Sequence, residues 1–287
     1  ARVQTPLHEG NLPATSGSDA GGECVEAAWD SQADIESALL QRKELTQINT
    51  DYDKFFDTFD HEFFYQLECH IGVPPAVVRL NKNLYTNLRR RLKIGRHIGP
   101  VFQSNRGKGQ GDGWSLFDAL AITTIQFRHI NHVQPDVRLS SVVDDRNFRG
   151  PCHSVINAVQ HAIAFDTDAG LKNNLKNAAL STEQDSRDIL AGTTFQGQTI
   201  RVTHDDVLIG MNISTKRAPA RAKQDARIMT AFVVALRAAA ARFQHDLRAF
   251  AATAAATPKI LHGTLCFQIS RRPYASLSLL HTVRAGA

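Results

Sequence analysis

The chain has no apolar run of 18 residues and no signal-peptide pattern. A membrane-spanning helix and a cleaved leader are therefore not expected, and the chain reads as a soluble, intracellular protein without a membrane partner. Cysteine is scarce. Cys24, Cys69, Cys152 and Cys266 lie far apart and follow no metal spacing, which argues against a disulfide framework or a zinc site and reads as reduced thiols. The Walker pattern G-x-x-x-x-G-K-[ST] is missing, and the G-x-G of "RGKGQGDGWS" (Arg106–Ser115) follows no clear strand. A P-loop and a dinucleotide-binding βαβ unit are both disfavoured on that ground. Charge of one sign is also modest: a net +5 and a pI near 9.1 do not by themselves imply nucleic acid. There is no internal repeat and no initiator Met, and residues 1–22 are rich in Gly, Ser, Thr and Pro, so the expectation is a piece of something longer.

What is present supports a real core, with 43% hydrophobic residues in 287. Periodicity predicts a helix over about Asp30–Arg42 and a strand over Thr46–Asp53. A short helix follows over Asp60–Gly72, with Asp60 as N-cap and Gly72 past its end. A helix beginning at the Pro74-Pro75 pair and running to about Arg90 presents Val77, Leu80, Leu84 and Leu88 to the core. Ser115 reads as the cap of a helix from Leu116 to about His129. "VRLSSVVDDRNF" reads as a hairpin with two acids at its tip, and "SVINAVQHAIAF" as a helix with Val155, Val159 and Ile163 in register. Short strand candidates follow in "NAALST", "QTIRVT" and "VLIGMNI". From about Pro219 to Thr257 the chain is Ala-rich and helical, with Ile228, Phe232, Leu236, Phe243, Leu247 and Phe250 as an apolar stripe. Mixed elements to about residue 213 and helix thereafter give an α+β domain with a helical appendage.

The adjacent acids Asp144 and Asp145 pose an electrostatic question. Two carboxylates about 4 Å apart at an effective dielectric near 20 repel by roughly 4 kcal/mol. Solvent at an exposed turn is one answer, and a divalent cation held by hard oxygen ligands is the other. Asp51 ends a strand candidate in "DYDKFFDTFDHEFF" (Asp51–Phe64). If that strand pairs with the hairpin, three carboxylates converge at one sheet edge. Such a trio suits two Mg²⁺ ions about 4 Å apart, the chemistry of phosphoryl and nucleotidyl transfer. Periodicity alone does not show the pairing.

"DYDKFFDTFDH", "RGKGQGDGWS" and "SVVDDRNF", in that order and with 59 residues from Asp51 to Gln110 and 34 from Gln110 to Asp144, resemble three motifs of the reverse transcriptase palm. These are its first acidic motif, its Q-G-D-P-x-S loop and its aromatic-x-D-D hairpin, of the non-long-terminal-repeat retrotransposon or group II intron type. "GLKNNLKNAALST" and "LIGMNIS" are weaker matches to later segments. The resemblance runs from about Glu9 to Ile213, and more loosely through "KILHG" and "LLHTVRAG". It implies a palm, an antiparallel sheet backed by helices, over 46–213. Partial fingers and an irregular lead-in would occupy 1–45, the fingers being largely missing, and a helical thumb-like segment 214–287.

By that resemblance Asp51, Asp144 and Asp145 are the catalytic, metal-binding carboxylates for two Mg²⁺, with Mn²⁺ as a possible substitute. The partners would be an RNA template, a DNA primer and a deoxynucleoside triphosphate. Tyr52, Phe55 and Phe56 would border the triphosphate, Phe56 as the ring that leaves no room for a 2′-hydroxyl and Phe55 as core. Gln110, Gly111 and Ser115 would shape the nucleotide pocket, and Lys176 would stand near the position of an acid for pyrophosphate. Read without the resemblance, the aromatic pair is core and the glycine cluster is a flexible loop or a phosphate cradle. Lys54, Asp57, Asp60 and His61 read as structural, and His129 and His132 as surface histidines.

Basic residues cluster twice, at Arg89, Arg90, Arg91, Lys93 and Arg96, and at Lys216, Arg217, Arg221 and Lys223. Each reads either as a solvated face or, beside a palm, as a nucleic-acid contact whose binding would depend steeply on salt. Departures from the family pattern are Val142 for its aromatic, Gly113 for its Pro, and Asn177 where its Lys is expected. No endonuclease, RNase H or zinc-knuckle segment is recognisable. The alternatives to an RNA-directed DNA polymerase are a catalytically inactive palm that binds nucleic acid and an RNA-templated RNA polymerase, the last disfavoured by Phe56.

Overall fold

The structure, a computed structural model, describes residues 14–15, 24–174, 178–208, 211–216 and 222–240, and single positions at 247, 250 and 254. In chain order the elements are β1 (Ala14–Thr15), α1 (Cys24–Gln41), β2 (Thr46–Tyr52), α2 (Phe55–Thr58), α3 (His61–His70) and α4 (Pro75–Asn87). Then come β3 (Arg90–Ile94), β4 (His97–Phe102), α5 (Gly113–Val133), β5 (Arg138–Val142), β6 (Asp145–Gly150) and α6 (Cys152–Asp168). The order continues with β7 (Asn173–Asn174), β8 (Ala178–Ser181), α7 (Gln184–Gly192), β9 (Thr194–Phe195), β10 (Gln198–Thr199) and β11 (Arg201–Val202). It closes with β12 (Asp205–Leu208), β13 (Met211–Ser214) and α8 (Ala222–Ala240).

One sheet organises the chain, in the order β1-β5-β6-β2-β8-β11 with β7 also paired to β2. Its central pairs β5–β6, β6–β2 and β2–β8 are antiparallel, and the short edge strands β1 and β11 run parallel to their neighbours. Because side chains alternate along a strand, registered partners share a face. Ile48 opposes Phe148, which opposes Leu139. This face packs on Phe127 and Ile130 of α5 and on Val155, Val159 and Ile163 of α6. Each such buried side chain contributes about 1.5–3 kcal/mol relative to exposure. The opposite face carries Leu180 against Ala28 and Ile35 of α1 and against Leu208, Met211 and Ile213 of the β12–β13 hairpin. Polar links seat these covers: Ser31 donates to Gln47 at 2.7 Å, and Asn49 donates to Asp206 at 2.7 Å. Beyond the end of β2 a third cluster gathers Tyr52, Phe55, Phe59, Phe64, Ile122 and Leu171.

The mixed α/β architecture and its antiparallel-rich sheet match the α+β expectation. Several local expectations need correction. Asp112, whose carboxylate accepts from the Trp114 N–H, caps α5, and Ser115 lies inside that helix. On α4 the buried side chains are Val78, Asn81 and Tyr85, while Leu80 and Leu84 are 68% and 52% exposed. The inward stripe is thus displaced by one residue, because Asn81 and Tyr85 find polar partners inside. The run "LRRRLKIGRH" leaves the helix and enters the β3–β4 hairpin, which among the described residues forms a two-stranded sheet of its own. "VLIGMNI" spans the two antiparallel strands β12 and β13. Among the described side chains of α8, Ala231 and Ala235 are buried and Phe232 is half-buried, while Leu236 is exposed, as are Leu247 and Phe250 beyond it. Phe243 and the side chain of Ile228 lie outside the described residues.

Candidate active site

Strand pairing places the acids. The register of β2 on β6 ends with Thr50 opposite Arg146, so Asp51 and Asp145 lie one residue past the last registered pair, and on its other side Asp51 pairs with Asn174 of β7. On the other side Val142 opposes Asp145, so Val143 and Asp144 form the two-residue turn of the β5–β6 hairpin. Val143 has φ 56 and Asp144 has no positive φ, the sign pattern of a type II′ turn. Glycine is the usual residue there, and a β-branched one costs about 1–2 kcal/mol. The chain thus holds a strained residue beside the doublet, a pattern common at functional sites.

Asp51, Asp144 and Asp145 are half-buried at this end of the sheet. Burial is the main cause that pushes the Asp145 carboxyl up to about 6, and the charges of Asp144 and then Asp51 add to it. Asp51 is raised as well, first by burial and further by Asp144, against a 3.3 Å bond donated by Asn174 Nδ2 to Asp51 Oδ2. Between an unfolded-state value near 4 and its folded value, Asp145 holds a proton that the unfolded chain releases. Its contribution to stability is full below that window and is lost as pH rises through about 6. Among the described residues neither Asp144 nor Asp145 has a side-chain hydrogen bond or an ion pair. The donor chemistry is that of a hard divalent cation: three carboxylates, repelling one another, with no cation within ion-pair distance among the described residues. As placed, no three ligating side chains among the described residues form a group that could hold a metal ion.

Around the acids the residues divide into those that face outward and those that brace. Tyr52 and Phe55 are 4% and 3% exposed, so their side chains are core and only their backbone borders the acids. Phe56 is half-buried, with its ring 5.5 Å from that of Phe55 and 5.6 Å from that of Phe59. The glycine loop is stitched to this segment: Gly107 N donates to Phe59 O at 2.8 Å, and Lys108 N to Phe56 O at 2.9 Å. Gly107 has φ +82, and a Cβ there would meet the Asp57 backbone at 3.2 Å, so the close approach requires glycine. Gln110 and Gly111 are exposed at the loop tip. Ser115 is fully buried and donates to Gly109 O at 2.6 Å, which makes it a brace of the loop. Tyr85 donates to Asp112 at 2.5 Å and accepts from Gly109 N at 3.0 Å.

Two buried charge networks escaped the sequence reading. Lys108, in the middle of the glycine cluster, is 2% exposed. Its Nζ donates to Glu68 at 3.0 Å and to Asp118, and it sits 5.4–5.8 Å over the rings of Phe64, Tyr65 and Tyr85. Its ammonium therefore anchors the loop and cannot cradle a phosphate. Arg146 is 1% exposed on the helix-facing side of the sheet. Its Nη1 donates to Asp166 at 2.7 Å, to Gln126 at 2.9 Å and to Tyr52 Oη at 2.9 Å, and its Nη2 to Asn173 at 2.6 Å. The available signal was acid on an apolar helix face: Glu68, Asp118 and Asp166 each stand among buried positions and demand a cation.

Of the basic residues, Arg89, Arg91, Lys93 and Arg96 are exposed and, among the described residues, unpaired with acids. Arg90 is half-buried and donates to Gly107 O at 2.9 Å, bracing the loop instead. Lys216 is exposed, 3.6 Å from Asp205. Arg217, Arg221, Lys176 and Asn177 lie outside the described residues, as does the side chain of Lys223. Val142 is 8% exposed on the face of Asp145. His61 is buried against Gly107 O at 2.9 Å, and Asp60 caps α3. His129 and His132 are exposed.

No family model matches the chain, and no curated protein does. Among solved structures, telomerase from Candida tropicalis in complex with a TWJ fragment of telomeric RNA is similar over 99% of this chain and 48% of that one, at 11% identity and a TM-score of 0.51. Apo telomerase from the same organism is similar over 90% of this chain and 50% of that one, at 10% identity and a TM-score of 0.47. A form truncated from the C-terminal domain gives 66%, 38%, 14% and 0.46 in the same order. The chain spans half or less of the length of these proteins. Likeness at such identity concerns fold alone, and the fold shared with the first of them is reverse-transcriptase-like.

Proposed function

We propose that the chain is an RNA-directed DNA polymerase domain of a retroelement, of the retrotransposon or group II intron type, that adds deoxynucleotides to a primer 3′-hydroxyl. One observation supports the reading: Asp51 and Asp145 directly follow the last registered pair of β2 and β6, Thr50 with Arg146, and Asp144 sits in the adjoining turn, although Asp51 and Asp144 are 93 positions apart in the chain. Two divalent cations, Mg²⁺ or Mn²⁺, would be held by Asp51, Asp144 and Asp145 and would supply activation of the 3′-hydroxyl and neutralisation of the triphosphate. The chain's own residues do the rest. Phe56 packs against the sugar and excludes a 2′-hydroxyl. Gln110 and Gly111, at the exposed tip of a loop tied to Phe56 and Phe59, shape the pocket for nucleotide and template. Arg89, Arg91, Lys93 and Arg96 meet template phosphates, which makes binding steeply dependent on salt.

A second reading, a palm that binds nucleic acid without catalysis, draws on Val142 in place of the aromatic that would support the primer end. Incubation of the chain with a primed RNA template, Mg²⁺ and either deoxynucleotides or ribonucleotides separates the readings. Extension with deoxynucleotides alone is expected. Template binding without extension favours the second reading, and equal use of both nucleotide sets favours an RNA polymerase.

A further inference from the structure

Behind the acids the structure builds a stack. The Arg146 guanidinium lies 3.9 Å from the centre of the Tyr52 ring. The rings of Tyr52 and Phe55 are 4.1 Å apart and within 7° of parallel. Phe55 in turn meets Phe56 at 5.5 Å and Phe59 at 4.8 Å. Alternation along β2 and β6 explains the layout: Asp51 and Asp145 share one face, and Tyr52 and Arg146 point to the other.

A charge in this position needs a reason. Arg146 and Asp166 are both fully buried, and replacing a buried ion pair by apolar groups of similar volume is often neutral or stabilising. Arg146 also keeps an orphan: its Nε is buried without a hydrogen-bond partner, a cost no apolar residue would incur. What a guanidinium offers over an apolar side chain is orientation. It is planar, it is locked by acceptors on α5, α6 and β7, and it presents a face to an aromatic ring. The same group reaches Asn173, whose neighbour Asn174 donates to Asp51.

We propose that Arg146 is a positioning residue for sugar selection, setting the pose of Phe56 through the rings of Tyr52 and Phe55. This rests on the polymerase reading. Rotation of Tyr52 shifts Phe55, and a shifted Phe55 frees Phe56 to yield to a 2′-hydroxyl.

Arg146→Lys tests it, since lysine keeps the charge facing Asp166 and loses the planar stack. The readout is the ratio of kcat/KM for a deoxynucleotide to that for its ribonucleotide, with melting temperature as the control for fold. The ratio is expected to fall about tenfold, the scale of a buried cation–π contact, with the deoxynucleotide kcat changed less than about threefold. Phe55→Leu breaks the stack at its next ring without touching a charge and should lower the ratio similarly, whereas Phe55→Tyr should preserve it. If Arg146→Lys does not fold, Phe55→Leu decides alone. An unchanged ratio in folded variants would overturn the inference and leave the polymerase reading standing. A wild-type chain that extends nothing would overturn both.

Discussion

Asp144→Asn is expected to abolish primer extension, by about 10³-fold or more, the scale seen when a preorganised electrostatic group is removed from a reacting centre. Template binding should survive, because Asp144 lies in the β5–β6 turn, whereas Arg89, Arg91, Lys93 and Arg96 lie at or in the β3–β4 hairpin. The variant should fold at least as well as wild type. Asp144 raises the proton affinity of both Asp51 and Asp145, so removing its charge relieves repulsion that the apo protein carries at neutral pH. That combination is diagnostic. A residue that served only the turn would change stability and leave the rate of a folded chain nearly intact. Primer extension, a filter-binding assay on the same template and a melting curve together report it.

Lys108→Met is expected to destabilise the chain by about 3–5 kcal/mol at pH 7.5, the usual result of breaking a buried ion pair by deleting one partner. Glu68 and Asp118 would be left facing each other in a pocket walled by Phe64, Tyr65 and Tyr85. Even with Lys108 present, burial raises the Asp118 carboxyl to about 7, Glu68 adds to the rise, and the ammonium only partly offsets it. Asp118 therefore contributes stability that is full at low pH and is lost as pH rises through about 7. Without the ammonium that loss deepens, so the variant's deficit should shrink on moving from pH 7.5 to pH 5. Adding Glu68→Gln and Asp118→Asn to the variant removes the orphaned charges and should recover much of the stability. Denaturant melts at the two pH values check both expectations, and a pH-independent deficit would point to lost packing instead.

The two networks also show where sequence stopped being informative. Asp51 at a strand end and the acid doublet at a hairpin tip were legible, because alternation and turn chemistry are local. The pairing of the two strands that carry them was not legible from pattern alone, since pairing of β2 with β6 is a long-range choice made by Ile48, Phe148 and the helices beneath them. The α4 stripe was misjudged by one residue because leucines suggest a core face, yet Asn81 turns inward to donate to Glu68 at 2.6 Å and Tyr85 to reach Asp112. Glycines surround Lys108 in the sequence, and only the acids opposite, Glu68 and Asp118, reveal its burial. The cap of α5 is Asp112, three residues before the Ser115 that the sequence suggests. In the last three cases a polar side chain finds a polar partner inside the protein, and apolar periodicity carries no information about that.

Titration with Mn²⁺ at pH 7.5, followed by electron paramagnetic resonance with primed template and a non-hydrolysable deoxynucleotide present, addresses the carboxylate trio most directly. The expected result is two bound Mn²⁺ per chain with coupled spectra, both weakened at least about tenfold in Asp51→Asn. Wild-type chain that binds no Mn²⁺ beyond what the nucleotide carries, or binding that Asp51→Asn leaves untouched, would contradict it.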